Sequence, residues 1–264
     1  MEGRFIIDGH VHCGPRTFQG SGAFNIQAGG TDKEVGNPFE RLKKNLEDIG
    51  VSGAVLLPFP EDIYRKPYAT PESAKTAHHY ILTIASDNDY FYPFYHVWND
   101  FVIPDNLAEF KGIKWHRHFW SEPEYDYSDP KCDQFVEAIR QYDFPVILED
   151  SFENTTLFCH KYPDVKMIIP HVGIVNGGAE KIIPAFKDSP NVYIDTSLAY
   201  PFQIVEAIVQ FGVDRTIFGS DTPYSSTKIE LFNLLEYDFV KKLSDGDLDK
   251  ILAKNMLRLM HITA

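Results

Sequence analysis

Short apolar runs recur along this chain, and each is followed by a segment with apolar residues at helical spacing. Most of the runs are apolar throughout rather than alternating, which is typical of parallel strands covered on both faces. The pattern therefore predicts repeated β–α–β units built on a parallel sheet. Eight runs have strand composition: residues 4–8, 53–58, 90–97, 112–116, 145–149, 165–170, 191–195 and 215–219.

The segments between and after these runs predict amphipathic helices. Eight β–α units close most economically as a (β/α)8 barrel, and 264 residues are typical of such a barrel. A doubly wound open sheet is the competing arrangement, and periodicity alone does not exclude it. Eight helices are predicted: residues 38–50, 70–86, 131–142, 153–162, 178–188, 202–212, 226–239 and 244–260.

The chain shows no composition shift or linker that would divide it. We therefore expect one domain over residues 1–264, an α/β barrel of distorted TIM type. The one irregular stretch is residues 13–37, which are rich in Gly, Thr, Ser and Asn. We expect this stretch to be an inserted loop over the functional site.

Charge and cysteine content exclude several classes of function. The chain has 25 Lys and Arg against 38 Asp and Glu, a net charge of −13, and no basic run. Such a surface repels phosphate backbones and anionic lipid, so we expect no nucleic-acid or membrane partner. The three cysteines form no CxxC pair, and the chain shows no signal peptide and no apolar run of membrane-spanning length. We expect a cytoplasmic protein with a small-molecule substrate; the oligomeric state stays open, a homo-oligomer included.

Two histidines end the first predicted strand, in the stretch RFIIDGHVHCG. Side chains alternate along a strand, so Asp8, His10 and His12 are expected to share one face. Two histidines on one face can chelate a single ion. Taken alone, they could equally be two unrelated surface histidines.

Other predicted strands also end in groups that carry chemistry. In a parallel barrel the carboxyl ends of all strands meet at one face, where function is built. Lys114 and His116 end the fourth strand, Glu149 ends the fifth, His171 follows the sixth and Asp221 follows the eighth. Burying such groups without partners is costly, which makes a shared ion the economical explanation. Nitrogen and oxygen ligands without thiolate favour Zn²⁺, Mn²⁺ or Fe²⁺.

The stretches DGHVH, GIKWH, YPDVKMIIPHVG, FGSDTP and ILAKNMLRLM resemble, in order and spacing, the amidohydrolase superfamily. The similarity is to its amidohydrolase-2 branch, which also contains aminocarboxymuconate-semialdehyde decarboxylase and related aromatic decarboxylases. It spans residue 8 to about residue 259. The resemblance implies a distorted (β/α)8 barrel with a divalent metal at its mouth. It also implies that His10 and His12 are metal ligands, that Asp221 is a ligand or the proton-handling carboxylate, and that His171 is the catalytic imidazole.

The chain departs from this family at its fifth strand, where a ligand histidine is usual and Glu149 stands instead. We expect one divalent ion, zinc favoured over manganese, held by His10, His12, Glu149 and Asp221. Glu149 could instead orient a ligand histidine without touching the ion. Lys114 is the candidate for the carbamylated lysine of two-metal members, although Glu149 argues against a second ion.

The expected function is hydrolysis of a small cyclic amide, lactone or ester by a metal-activated water, with Asp221 and His171 as catalytic residues and His116 and Lys114 as substrate-binding residues. The alternative is a metal-dependent, non-oxidative decarboxylase of a small, aromatic or other, carboxylic acid. Its carboxylate clamp would come from Arg16, Lys114 and Arg117. A third reading is a catalytically inactive binding barrel. The remaining histidines are predicted to be surface or packing residues: His78, His79, His96, His118, His160 and His261.

Overall fold

Eight parallel strands form the centre of the part of the chain that the structure describes. The structure is a computed structural model, and it describes residues 3–16, 18–19, 34–64, 69–116 and 127–263. All eight predicted strands are present. They are β1 (Ile7–His12), β2 (Gly53–Leu57), β3 in two segments (Phe91–Pro93 and Tyr95–Val97), β4 (Ile113–His116), β5 (Val146–Glu149), β6 (Met167–Ile169), β7 (Val192–Asp195) and β8 (Thr216–Ile217).

The strands pair in chain order, and the last strand returns to the first. Every neighbouring pair is parallel. Beyond β8, Thr222 forms a parallel bridge with Val11, and the His12 N–H donates to the Thr222 carbonyl at 2.8 Å. The Asp221 N–H donates to the His10 carbonyl at 2.7 Å. These bonds close the barrel and exclude the doubly wound open sheet.

Helices follow the strands at the predicted places. The short α2 was not predicted, and the C-terminal segment contains a π-helical turn between two α-helical parts. The helices are α1 (Phe39–Glu47), α2 (Pro60–Ile63), α3 (Pro71–Asp87), α4 (Pro130–Tyr142), α5 (Phe152–Lys161), α6 (Ala179–Phe186), α7 (Pro201–Phe211), α8 (Thr227–Leu235), α9 (Asp245–Asp249), the π turn (Lys250–Lys254) and α10 (Asn255–Leu259). In the described part of the chain, no helix combines the length and apolar character needed to cross a membrane.

The inserted loop predicted at residues 13–37 is only partly visible. Phe18–Gln19 and Glu34–Val35 pair as a two-stranded antiparallel ladder. Residue 17 and residues 20–33 lie outside the described residues. Whether the loop covers the site therefore stays a prediction.

Apolar side chains fill the amino-terminal half of the barrel. Ile7, Ile147 and Ile168 belong to one buried apolar cluster, which also includes Met256 and Leu257 of the C-terminal segment. Burial of such side chains is the main favourable term for folding. Because this end of the barrel is filled with apolar side chains, polar groups inside the barrel lie at the carboxyl ends of the strands.

An irregularity in β1 corrects one prediction about its faces. The β1–β2 register shifts between Asp8 and Val11, so strict alternation fails there. Asp8 accepts hydrogen bonds from the Ser220 hydroxyl at 2.6 Å and the Thr227 hydroxyl at 2.9 Å, while Ile7 packs inside the barrel. The prediction that Asp8 shares a face with the two histidines is therefore wrong. Burial raises the pKa of Asp8 to about 7, against hydrogen bonds that lower it.

Gly53 allows β2 to lie against the start of β3, and we expect its replacement by alanine to be costly. A Cβ at Gly53 would lie 2.0 Å from the Tyr90 carbonyl oxygen, a backbone atom that cannot move alone. Gly53→Ala should lower the free energy of unfolding by about 2 kcal/mol or more. The control is Gly246→Ala in α9, where a Cβ meets nothing closer than 3.9 Å. Helix propensity predicts a gain of about 0.5–1 kcal/mol there. Urea unfolding of both variants measures the difference, and equal stabilities would contradict the strand-contact argument.

Candidate active site

All seven residues predicted from strand ends lie at the carboxyl end of the barrel. β1 supplies two histidines, β4 a lysine and a histidine, and β5 a glutamate, while the turns after β6 and β8 supply the other two groups. Each of the seven is at most 8% exposed. They are His10, His12, Lys114, His116, Glu149, His171 and Asp221.

The Asp221 carboxylate lies close to both β1 histidines. The Nε2 atoms of His10 and His12 lie 3.4 Å and 3.5 Å from the same oxygen, Oδ1 of Asp221. Ligand atoms about 2.1 Å from one ion at tetrahedral angles lie about 3.4 Å from one another, so the spacing suits a bound ion. A ring nitrogen of His171, a ring nitrogen of His10 and a carboxylate oxygen of Asp221 also lie within 4.8 Å of one another, in a group of possible ligand atoms that does not include His12.

The far ring nitrogens of both β1 histidines are tied to hydrogen-bond acceptors. His10 Nδ1 donates to Asp195 Oδ2 at 2.8 Å, and His12 Nδ1 donates to the Pro58 carbonyl at 3.0 Å. A carboxylate and a carbonyl can only accept, so each Nδ1 carries the proton and each Nε2 presents a lone pair to the site. Partners of this kind orient metal-binding histidines.

Burial and a neighbouring cation keep the same two imidazoles neutral. Burial lowers the pKa of His10 to about 4, helped by Lys114 and opposed by Asp195. Burial and Lys114 also hold the pKa of His12 well below its ordinary value. Two neutral imidazoles and one carboxylate oxygen form a donor set of a catalytic divalent metal site, so these residues fit such an ion.

The surroundings of His171 favour its protonated form. Ser197 Oγ donates to Asp195 Oδ1, so its oxygen accepts from His171 Nδ1 at 2.8 Å. His171 Nε2 lies 3.7 Å from Glu149 Oε2 and 3.9 Å from Asp221 Oδ2. Burial lowers the pKa of His171, but these carboxylates outweigh it and raise the pKa to about 9. His171 is therefore a hydrogen-bond donor at neutral pH.

Asp221 uses its two oxygens differently. Oδ1 faces the β1 histidines and Oδ2 faces His171. Burial raises the pKa of Asp221 to about 7, while the charges of His171 and Lys114 act in the opposite direction. A carboxyl group with a pKa near neutrality can both take up and release a proton.

Glu149 is surrounded by cationic and imidazole partners. Its Oε2 lies 2.8 Å from Lys114 Nζ, and its Oε1 lies 2.9 Å from His116 Nε2. Burial raises the pKa of Glu149, but His116 and Lys114 outweigh it and hold the pKa well below its usual range. Among the described residues, the ion pairs of Glu149 join it to Lys114, His116 and His171 rather than to His10 or His12.

Three further residues of the site were not singled out from the sequence. Asp195 ends β7 and binds His10, and the strand-end rule applied to the run NVYID would have found it. The Tyr64 hydroxyl lies 3.0 Å from His116 Nδ1, and no sequence motif marks it. His96, predicted to be a surface or packing residue, lies buried on β3 with its ring parallel to that of His116, 6.1 Å between centroids.

The predicted cationic clamp is only partly visible. Lys114 is paired with Glu149, and Arg16 forms an ion pair with Asp62 of α2. Arg117, like His118, lies outside the described residues. The described cations of the site therefore already have carboxylate partners.

Comparisons with known proteins give the family. The sequence model of the amidohydrolase family Amidohydro_2 matches residues 106–262. A search of proteins with curated functions found no match to this sequence.

Solved structures share the fold along nearly the whole chain at low identity. An amidohydrolase from Burkholderia multivorans with bound zinc is 14% identical with a TM-score of 0.69, covering 98% of this chain and 100% of that one. A probable 2-pyrone-4,6-dicarboxylic acid hydrolase from Acinetobacter baumannii is 15% identical with a TM-score of 0.67, covering 97% and 99%. A dihydroxybenzoic acid decarboxylase from Polaromonas sp. JS666, with bound manganese and the inhibitor 2-nitroresorcinol, is 15% identical with a TM-score of 0.66, covering 99% and 97%.

These likenesses confirm the predicted (β/α)8 barrel, and at this identity they carry the fold rather than the substrate. The family model covers more than half of the chain, including the Lys114, Glu149, His171 and Asp221 positions. The chain therefore belongs to the amidohydrolase-2 family of the amidohydrolase superfamily, and it is an enzyme of that family.

Proposed function

We propose that this protein is a metal-dependent hydrolase of a small cyclic amide, lactone or ester. The observation that supports it is that His10 Nε2 and His12 Nε2 lie 3.4 Å and 3.5 Å from the same oxygen, Asp221 Oδ1, beside His171, whose pKa is raised to about 9. We assign these three side chains as ligands of one divalent ion, with zinc favoured over manganese. A divalent ion held there supplies Lewis-acid activation of a water and of the substrate carbonyl.

Asp221 and His171 handle the proton and the developing charge. Asp221 Oδ2, on the side away from the β1 histidines, accepts the proton of the attacking water and passes it to the leaving group. His171 Nε2 donates to the oxygen on which negative charge develops. Ser197 fixes the His171 ring through Nδ1, so its donor direction is set before substrate arrives.

The charge pattern favours an uncharged substrate. Lys114 is neutralised by Glu149 and Arg16 by Asp62, so neither is a ready partner for a substrate carboxylate. In a decarboxylase, a side-chain cation of this kind would hold the departing carboxylate. Among the described residues, the pairing of these two cations therefore supports the hydrolase over the decarboxylase.

A decarboxylase is the second candidate. A histidine protonated at neutral pH, as His171 is, can deliver a proton to a ring carbon after carbon dioxide leaves. The similar Polaromonas structure is a dihydroxybenzoic acid decarboxylase. Product analysis separates the two candidates.

His12→Ala should remove the ion. A catalytic site with three protein ligands has none to spare, so bound zinc should fall from about one per chain to near zero. Metal analysis after dialysis measures it, with His160→Ala, an exposed histidine on α5, as the matched control. A folded His12→Ala protein that keeps full occupancy would show that the assigned ligand set is wrong.

His171→Gln should reduce turnover while leaving the ion in place. Loss of a positioned proton donor costs about 10²–10⁴-fold in rate. Because His171 is assigned as a donor rather than a ligand, metal content should stay at the wild-type value. Parallel loss of zinc and of activity would instead make His171 a ligand.

The reaction class is decided by product analysis of one holoenzyme preparation. With small lactones, cyclic amides and esters as substrates, a pH indicator measures the acid released by hydrolysis. With dihydroxybenzoates as substrates, the carbon dioxide released is measured. We expect hydrolysis that stops when a chelator removes the ion. Carbon dioxide release without hydrolysis would overturn the hydrolase in favour of the decarboxylase.

A further inference from the structure

Lys114 is a fully buried lysine beside a proposed metal ligand. Its side chain is 0% exposed, and its Nζ lies 3.2 Å from His10 Nε2 and 2.8 Å from Glu149 Oε2. A buried charge is tolerated only with a partner, and Glu149 is that partner. The Lys114 charge therefore lies directly against His10, one of the three proposed metal ligands.

The partner also decides the chemical form of Lys114. Lys114 Nζ donates to the Glu149 carboxylate at 2.8 Å, which is the geometry of a charge-assisted ammonium–carboxylate pair. A carbamate on Nζ would place a second anion against Glu149 in a buried site, where like charges repel strongly. The role of a carbamylated bridging lysine, which the family resemblance implied as a candidate, does not suit this neighbourhood.

We propose that Lys114 is a fixed cation that limits the site to one divalent ion and weakens that ion's binding, and that Glu149 acts by neutralising Lys114 rather than as a ligand. The inference rests on the metal site of the proposed function. Neither residue then binds the ion directly. The positive charge of Lys114 lowers the metal affinity, and the negative charge of Glu149 partly cancels that effect.

The surroundings of Glu149 support this assignment. Its two oxygens face Lys114 Nζ and His116 Nε2, and the other ring nitrogen of His116 lies 3.0 Å from the Tyr64 hydroxyl. A second ion would have to take Glu149 and His116 from these partners while lying against the Lys114 ammonium. Repulsion between close charges in a buried site makes that arrangement unfavourable.

A double-mutant cycle on metal binding tests the inference without any substrate. Zinc and manganese affinities are measured by calorimetry or chelator competition at one pH for the wild type, Lys114→Met, Glu149→Gln and the double variant. We expect one ion for the wild type, binding about tenfold or more tighter in Lys114→Met, and about tenfold or more weaker in Glu149→Gln. The double variant, neutral at both positions, should return to within about threefold of the wild type.

The control is Lys241→Met, which removes a surface lysine paired with Glu236 at 2.7 Å and should leave metal affinity unchanged. If Lys114→Met does not fold, Lys114→Gln removes the same charge while keeping a hydrogen-bond donor for Glu149. Circular dichroism establishes folding for each variant.

Three results would overturn the inference while the metal site stands. Loss of the ion in Lys114→Met would make the lysine a ligand or its carbamate a bridge. A double variant as weak as Glu149→Gln would make Glu149 a ligand, and two ions in the wild type would refute the limit of one. No ion in the wild type would instead remove the proposed function, and this inference with it.

Discussion

The Asp195 carboxylate holds the proposed site together. Its Oδ2 accepts from His10 Nδ1 at 2.8 Å, and its Oδ1 accepts from the backbone N–H groups of His171 and Ser197, both at 3.0 Å. Burial raises the pKa of Asp195, but His10 and His171 outweigh it, so the group stays ionised. One carboxylate on β7 thus sets the ring orientation on β1 and the backbone position after β6. Without this carboxylate, the His10 ring and the His171 backbone would lose the hydrogen bonds that fix their relative positions.

The backbone at the site is held in conformations that side chains rarely adopt. His171, Val172 and Asp221 have φ values of 59°, 50° and 59°, in the left-handed region that favours glycine. Each such residue costs on the order of 1–3 kcal/mol and persists only where its surroundings fix it. Here the Asp195 bond to the His171 N–H and the barrel-closing bond from the Asp221 N–H to His10 do so. The strained turns aim both side chains into the mouth of the barrel.

The charged side chains of the site come from several strands and largely neutralise one another. Lys114 and His171 stand against Glu149, Asp195 and Asp221 within a buried volume, where an uncompensated charge is costly. A divalent ion held by His10, His12 and Asp221 would enter next to the Lys114 ammonium. The proposed affinity for the ion and the proposed preference for an uncharged substrate both follow from this arrangement.

The strands, the helices and most of the site residues could be predicted from the sequence. The strands and helices depend on local residue patterns, and the site residues follow from the rule that parallel strands end at one face of the barrel. Apolar runs such as GAVLLP are typical of parallel strands buried on both faces, and eight of them, together with the family resemblance, predicted the barrel. The rule that parallel strands present their ends at one face then predicted that His10, His12, His171 and Asp221 lie together. The same rule covers Asp195, which the prediction overlooked.

Other features depend on distances between residues far apart in the chain, which composition and spacing do not encode. The register shift in β1 that turns Asp8 away from the site arises from pairing with β2, so alternation alone predicted the wrong face. The partner of Glu149 could not be read from the stretch PVILE, because Lys114 lies 35 residues away and meets it only across neighbouring strands. The sequence by itself determined the alternation of strands and helices and the residue types at the strand ends. Only the tertiary structure decided which of those charges touch, because a pairing of buried charges is settled by ångström-scale distances in a medium that screens them weakly.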